Sequence, residues 1–272
     1  MAAFASVISV RPYWAIFSAR FRTLLQYRAA AMAGIVTQLF WGLIRVMIFW
    51  GFYQSTTAPQ PITYPDVVTY VWLGQATIIL VFFRTAPDVD AMIRTGTVAY
   101  ELARPVGLYQ MWFSRCLAMR TAPLLLRMIP IYVLASLFLG LRAPPSTACF
   151  GLFLISTLTA VLLAAAFSAM MTVFMLWTVS SLGVNRLLST AFYFLSGAVI
   201  PIPLFPDWAK PVLYFLPFRG LADTPFRIYM GHIPPGQAWG PILHQLGWAV
   251  AAALFGWLLL RRGTRRIVVH GG

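Results

Sequence analysis

The chain has 272 residues, of which 60% are hydrophobic and only 10% charged, and its mean hydropathy is +0.79. A soluble domain carries about a quarter charged residues, so this composition, with apolar runs of about 20 residues, excludes a soluble fold and predicts an integral membrane protein. The net charge of +14 does not point to nucleic acid. No basic face with interleaved aromatics lies on a soluble segment long enough to grip a strand, and arginine concentrated in cytoplasmic loops accounts for the excess.

Residues 1–28 read as an interfacial segment. Its first residues, MAAFASVISVRPYW, lack a charged start before the apolar stretch, so no cleavable signal peptide is expected. On a helical wheel Tyr13, Trp14, Phe17, Phe21, Leu24 and Leu25 share one arc, flanked by Arg20 on one side and by Arg11 and Arg22 on the other. That is the pattern of a helix lying in the headgroup layer with its apolar face down.

Six apolar segments follow, at 29–53, 64–83, 121–141, 147–177, 187–200 and 239–260. A polar loop, 84–120, separates the second from the third, and a proline-rich stretch, 201–238, separates the fifth from the sixth. The expected fold is all-α, a single polytopic membrane domain. Small residues (Ala160, Ala164, Ala165, Ala166, Ser168 and Ala169) crowd the fourth span and permit close helix approach. Cys116 and Cys149 fall toward opposite membrane faces, so no disulfide is expected. An even number of spans puts both termini on one side. Fourteen Arg residues lie on that side, against Arg142, Lys210, Arg219 and Arg227 on the other, which places the termini in the cytoplasm.

The cytoplasmic loop predicts a small capped helix. Asp88 opens VDAMIR, Gly96 ends it, and the stretch TVAYEL runs on to Arg104 and Pro105, where proline forces a turn. Its apolar Met92, Ile93, Val98 and Leu102, set among Asp90, Arg94 and Glu101, favour docking into a groove on a soluble protein. On the opposite face, LSGAVIPIPLFPDWAKPVLYFLPF (195–218) meets Pro201, Pro203, Pro206, Pro211 and Pro217 in succession. Proline breaks helical pairing, and broken backbone survives at membrane depth only where protein or water satisfies it. A kinked, partly re-entrant cap is expected, with Trp208 and Tyr214 at the interface.

Little in the sequence suggests catalysis. The six acids are scattered, and His232, His244 and His270 have no ligand spacing, so no metal site is expected. No G-x-x-x-x-G-K-[ST] phosphate loop occurs, and the only lysine is Lys210. The ionisable residues inside spans are Arg45 and Arg127, which stay charged and cannot relay protons. Energy for transport would then come from an ATP-driven partner rather than an ion gradient. Asp66 is the expected counter-charge for Arg45. Each arginine either snorkels to its nearer interface or lines a polar path for substrate. An ion-gradient carrier and a membrane enzyme of lipid metabolism are the competing classes.

These features together resemble the membrane (permease) subunit of the type-2 family of ABC exporters. The residues that carry the likeness are Leu195–Ser196–Gly197, Pro201, Pro206-x-Trp208 and Leu216–Pro217, and the run MIRTGTVAYELARPVGLY from Met92 to Tyr109. That run is similar to the I-x-x-G-x-x-x-x-x-L-x-R-P-x pattern of one bacterial branch, while Pro203 departs from the family's usual cap. The resemblance implies a coupling helix around Asp88 to Gly96 that extends toward Arg104, and an outer gate at 195–218. It implies separate ABC ATPase subunits that hold ATP and Mg, with no cofactor on this chain. It also implies a second permease, identical or different, in a bacterial cytoplasmic membrane. The cargo implied by an apolar interior with few acids is hydrophobic or amphipathic, drug-like or lipid-like.

Overall fold

The computed structural model describes residues 10–83, 87–95, 97–176 and 181–263, and no strand occurs among them. Helix α1, Arg11–Leu25, carries Pro12 in its first turn, where a missing N–H costs nothing. Helix α2, Arg28–Ser55, follows after a break at Gln26 and Tyr27. Helix α3, Tyr64–Thr77, opens on a capping box in which the Thr63 hydroxyl accepts from the Asp66 N–H while the Asp66 carboxylate accepts from the Thr63 N–H. It then tightens into a 3₁₀ turn, Ile78–Leu80. Two short helices, α4 (Pro87–Arg94) and α5 (Ala99–Leu102), precede α6, Leu108–Phe138. Helix α7, Thr147–Phe174, is capped by the Ser146 hydroxyl, and α8 runs Ser181–Leu195. A compact insert holds α9 (Lys210–Phe215) and α10 (Asp223–Tyr229) among 3₁₀ turns, before α11, Trp239–Gly263.

Four segments among the described residues are long and apolar enough to cross a membrane: Arg28–Ser55, Leu108–Phe138, Thr147–Phe174 and Pro235–Gly263. The chain is therefore a multi-pass membrane protein. The expected second and fifth spans correspond to shorter helices, α3 with 14 residues and α8 with 15. Helix α8 begins at Ser181 rather than Leu187 and ends at Leu195.

The largest departure is α6, which begins at Leu108, so the polar loop expected to reach residue 120 ends much earlier. The reason is internal satisfaction of charge. Arg120 is 4% exposed and donates through Nη1 to the carbonyls of Ile79 and Phe82, and through Nε and Nη2 to the Ser168 hydroxyl. The carbonyls come from the end of α3, where the change to 3₁₀ pairing leaves acceptors outside the α-helical ladder. A guanidinium that hydropathy counts against a span thus ties α6 to two other segments at once.

Helix α7 is the central element, packed against α6, α10 and α11. Ala160, Ala164, Ala165, Ala166, Ser168 and Ala169 are all buried along it. Gln245 of α11 is fully buried. Its Nε2 donates to the carbonyls of Ser156 and Gly220, at 3.1 and 2.6 Å, and its Oε1 accepts from the hydroxyls of Ser156 and Thr159, at 3.0 and 2.8 Å. Each of its amide atoms is therefore doubly bonded, which makes a buried polar group stabilising rather than costly. Cys116 and Cys149 are both buried and free.

Helix α2 is held differently. It buries only Ala31, Ile35 and Gly42, and turns Met32, Phe40, Trp41, Met47, Ile48 and Trp50 outward. Gly42 is the closest approach. A Cβ there would lie 2.4 Å from Cζ3 of Trp72, a fully buried ring whose Nε1 donates to the Leu139 carbonyl at 2.8 Å. Gly42→Leu is expected to lower the unfolding temperature in detergent by several degrees, an overpacking cost of about 1–3 kcal/mol. Gly51→Leu, with nothing within 4 Å of its Cβ, is expected to leave it unchanged or raise it.

Candidate functional site

Helices α4 and α5 are fastened to α6 and α1 rather than hung from a loop. Val89 and Val98 are buried, and with Met92 they pack on Met111, Trp112 and Cys116 of α6. The apolar residues expected to seek a groove on another protein thus include two, Met92 and Val98, that already sit in this chain's own core. Glu101 is 4% exposed, takes a 2.8 Å hydrogen bond from Trp112 Nε1 and pairs with Arg115. Arg115 also faces Asp88 at 3.9 Å, and Asp88 meets Arg20 of α1 at 3.4 Å. The Gly107 N–H donates to the Tyr13 hydroxyl at 3.0 Å, adding a second link from α1 to the start of α6. Two acids and two arginines from four segments form one clamp, strengthened by partial exclusion of water.

What the clamp leaves outward is specific. Tyr100 is 77% exposed, and Arg104 and Pro105 are exposed beside it. Gly96, and the side chains of Asp90, Ile93, Arg94 and Leu102, lie outside the described residues.

Arg45 and Arg127 occupy different surroundings. The Arg45 guanidinium lies over the Tyr193 ring, 5.5 Å from its centroid. The expected pair with Asp66 is not formed. Asp66 instead caps α3 and faces His232 at 3.3 Å and Arg142 at 3.9 Å. A local backbone cap competes well with a distant cation, because its partner is fixed by the same turn. Arg127 lies against Gly34 of α2 and lines a cavity with Arg120.

The cap is built on Gly197, whose φ of +85° ends α8 in the left-handed region. A Cβ there would meet Tyr70 Oη at 2.6 Å and Ile202 Cγ1 at 2.9 Å. The Ser196 carbonyl accepts from the Asp223 N–H at 3.2 Å, and the Asp223 carboxylate accepts from the Tyr70 hydroxyl at 3.1 Å. Arg227 stands 3.9 Å from Asp223 and donates to the Tyr214 hydroxyl, while Arg219 lies over the Tyr214 ring. Of the residues singled out by sequence, Ser196, Gly197, Pro201 and Pro217 are buried, Leu195 and Leu216 are half-buried, and Pro206 and Trp208 are exposed. Trp208 is 81% exposed, and Tyr214 meets Arg227 and Arg219. Phe192 of α8 stacks edgewise on Phe83, Phe218 and Phe167, at 4.4, 4.5 and 4.8 Å, joining α8 to the end of α3, the cap and α7.

A family model, described as ABC-2 family transporter protein, matches residues 22–271. The chain belongs to this family. No curated protein matches it closely enough to count as a relative. As an ABC-2 transporter it is a membrane component of transport machinery, not a member of a catalytic enzyme family. The motifs that suggest the family lie on opposite ends of this ABC-2 chain, in the clamp and in the cap.

Sequence reasoning passed over the residues that hold both ends. Asp223 counted as one of six scattered acids, though Arg227 four residues on was a visible signal of a helical ion pair. Tyr70 and Gln245 have partners far away in sequence, with nothing local to mark them.

Two outcomes follow from this geometry. Glu101→Gln is expected to cost roughly 2–3 kcal/mol in detergent unfolding, and to speed proteolysis between α4 and α6. The second concerns the cap, which lies outside the four candidate spans. Burial pushes the Asp223 carboxyl up to about 6, opposed by Arg227 and by the Tyr70 hydrogen bond. A carboxyl that titrates higher when folded adds stability below its unfolded pKa, near 3.8, and that contribution is lost as pH rises through about 6. The difference in unfolding temperature between wild type and Asp223→Asn is therefore expected to shift against wild type from about pH 4 to 6 and to flatten above it.

Proposed function

We propose that this chain is one permease of a pair that exports a hydrophobic or amphipathic substrate across a bacterial cytoplasmic membrane, driven by separate ABC ATPase subunits. The observation that carries the reading is membership of the ABC-2 family over residues 22–271, which implies association with such ATPases. The clamp supports it by making α4 and α5 one body with α6 while presenting Tyr100, Arg104 and Pro105 outward. These residues, with Asp88–Gly96 beside them, form the coupling surface. Helices α3 and α8 serve as the second and fifth of six spans. Helix α3 needs little lipid-facing length because nearly all of it is buried in protein. Both termini lie in the cytoplasm and the cap lies outside.

In this reading, ATP binding closes the ATPase pair and moves α4 and α5. The Glu101–Arg115 pair passes the motion to α6, and Arg120 passes it to the end of α3 and to α7. Helix α3 carries Tyr70, which bonds Asp223, so its displacement bears on the cap and opens the outer gate at 195–218. Arg45, beside Tyr193 of α8, faces the path between the two halves. ATP can drive such a cycle only by binding one state better than the other.

The test is purification of the tagged full chain from its native membrane, with a soluble ATPase expected to copurify. Tyr100→Ala combined with Arg104→Glu is expected to reduce ATP-dependent export in vesicles by about tenfold, the size of one lost charge-assisted contact, with unchanged amounts of folded chain. Uphill transport by the bare chain, without any ATPase, would falsify the reading.

A further inference from the structure

We propose that the cavity between α1, α2, the end of α3 and α6 binds the phosphate of an anionic phospholipid headgroup. The cavity measures about 370 Å³, within the range of small-ligand sites. Arg120, Arg127 and Gln38 supply its polar lining, no Asp or Glu lines it among the described residues, and Leu24, Phe82 and Met119 are among its apolar walls. Two guanidinium groups thus face one space.

The two arginines have different parts. Arg120 is fixed by its bonds to Ile79, Phe82 and Ser168, and contributes a stationary positive charge. Arg127, seven residues further along α6, lies on the same helix face about 10 Å away. It brings the planar donor fork that suits phosphate. Gly34 makes room for it, since a Cβ at that position would lie 2.8 Å from Arg127 Cζ. Gln38, one turn beyond Gly34 on α2, adds an amide that can donate to a phosphate or glycerol oxygen.

The position favours a lipid over a soluble anion. Leu24 belongs to the last turn of α1, the amphipathic helix whose arginines suit the headgroup layer. The cavity therefore opens at headgroup level, with apolar walls for the start of the acyl chains. This inference is independent of transport direction and of any ATPase.

The experiment is native mass spectrometry of the full chain, purified in detergent and incubated with dioleoyl phosphatidylglycerol, dioleoyl phosphatidylcholine or inorganic phosphate. Wild type is expected to retain phosphatidylglycerol about tenfold better than phosphatidylcholine, and Arg127→Gln to lose most of that preference, with Arg127→Lys keeping part of it. Gly34→Leu, which crowds the guanidinium without removing its charge, is expected to lose it too. Equal retention of the two lipids by wild type overturns the proposal, as does full retention by Arg127→Gln. Displacement of bound phosphatidylglycerol by millimolar inorganic phosphate assigns the cavity to a soluble anion and also overturns it. Should Arg127→Gln fail to fold, the wild-type competition and Gln38→Ala, expected to weaken retention several-fold, decide the matter.

Discussion

The fold depends on a single guanidinium. Arg120 sits where α6, the end of α3 and α7 converge, and its bonds satisfy backbone acceptors that leave the helical ladder at the end of α3. Without that cation the carbonyls of Ile79 and Phe82 would face an apolar interior unpaired, at a cost comparable to the bonds themselves. Without those carbonyls Arg120 would keep only the Ser168 hydroxyl among these partners. The two irregularities, a span that tightens and an arginine inside a helix, are each the remedy for the other.

The same economy recurs at both ends of the bundle. On one side Glu101, Arg115 and Asp88 bind short helices to α6. On the other, Asp223, Tyr70 and Arg227 bind the cap to α3. Between them, Gln245 laces α11 to α7 and to the turn before α10. Polar groups are few in this chain, and among the buried ones Arg120, Asp223 and Gln245 bridge segments far apart in sequence. The apolar surface between them supplies packing but little directional preference.

Much of the architecture was legible from hydropathy and punctuation. Helices α1, α4 and α5, the broken backbone of the proline-rich stretch and the long helices α2, α7 and α11 lie near stretches that hydropathy and punctuation mark. The start of α6 was not legible, because Arg115 and Arg120 look like loop residues until their partners are known, and those partners are brought together by tertiary packing. The pairing of Asp66 with Arg45 failed for the opposite reason: a local cap, written in Thr63 and Asp66 three residues apart, was overlooked in favour of a distant charge. For the candidate site, sequence singled out two stretches, 88–105 and 195–218. It could not say that Met92 and Val98 point inward while Tyr100 points out, since a helix of one turn has too little periodicity to reveal its buried side.

The clamp also orders events during synthesis. Its members come from positions 20, 88, 101 and 115, so it cannot close until the ribosome has delivered the beginning of α6. Up to that moment the two acids remain hydrated on a tether between α3 and α6, and the short helices have no fixed seat. Closure then reports that four separate pieces from the first half of the chain have reached their places, so these ion pairs can form before α7, the cap and α11 have been made.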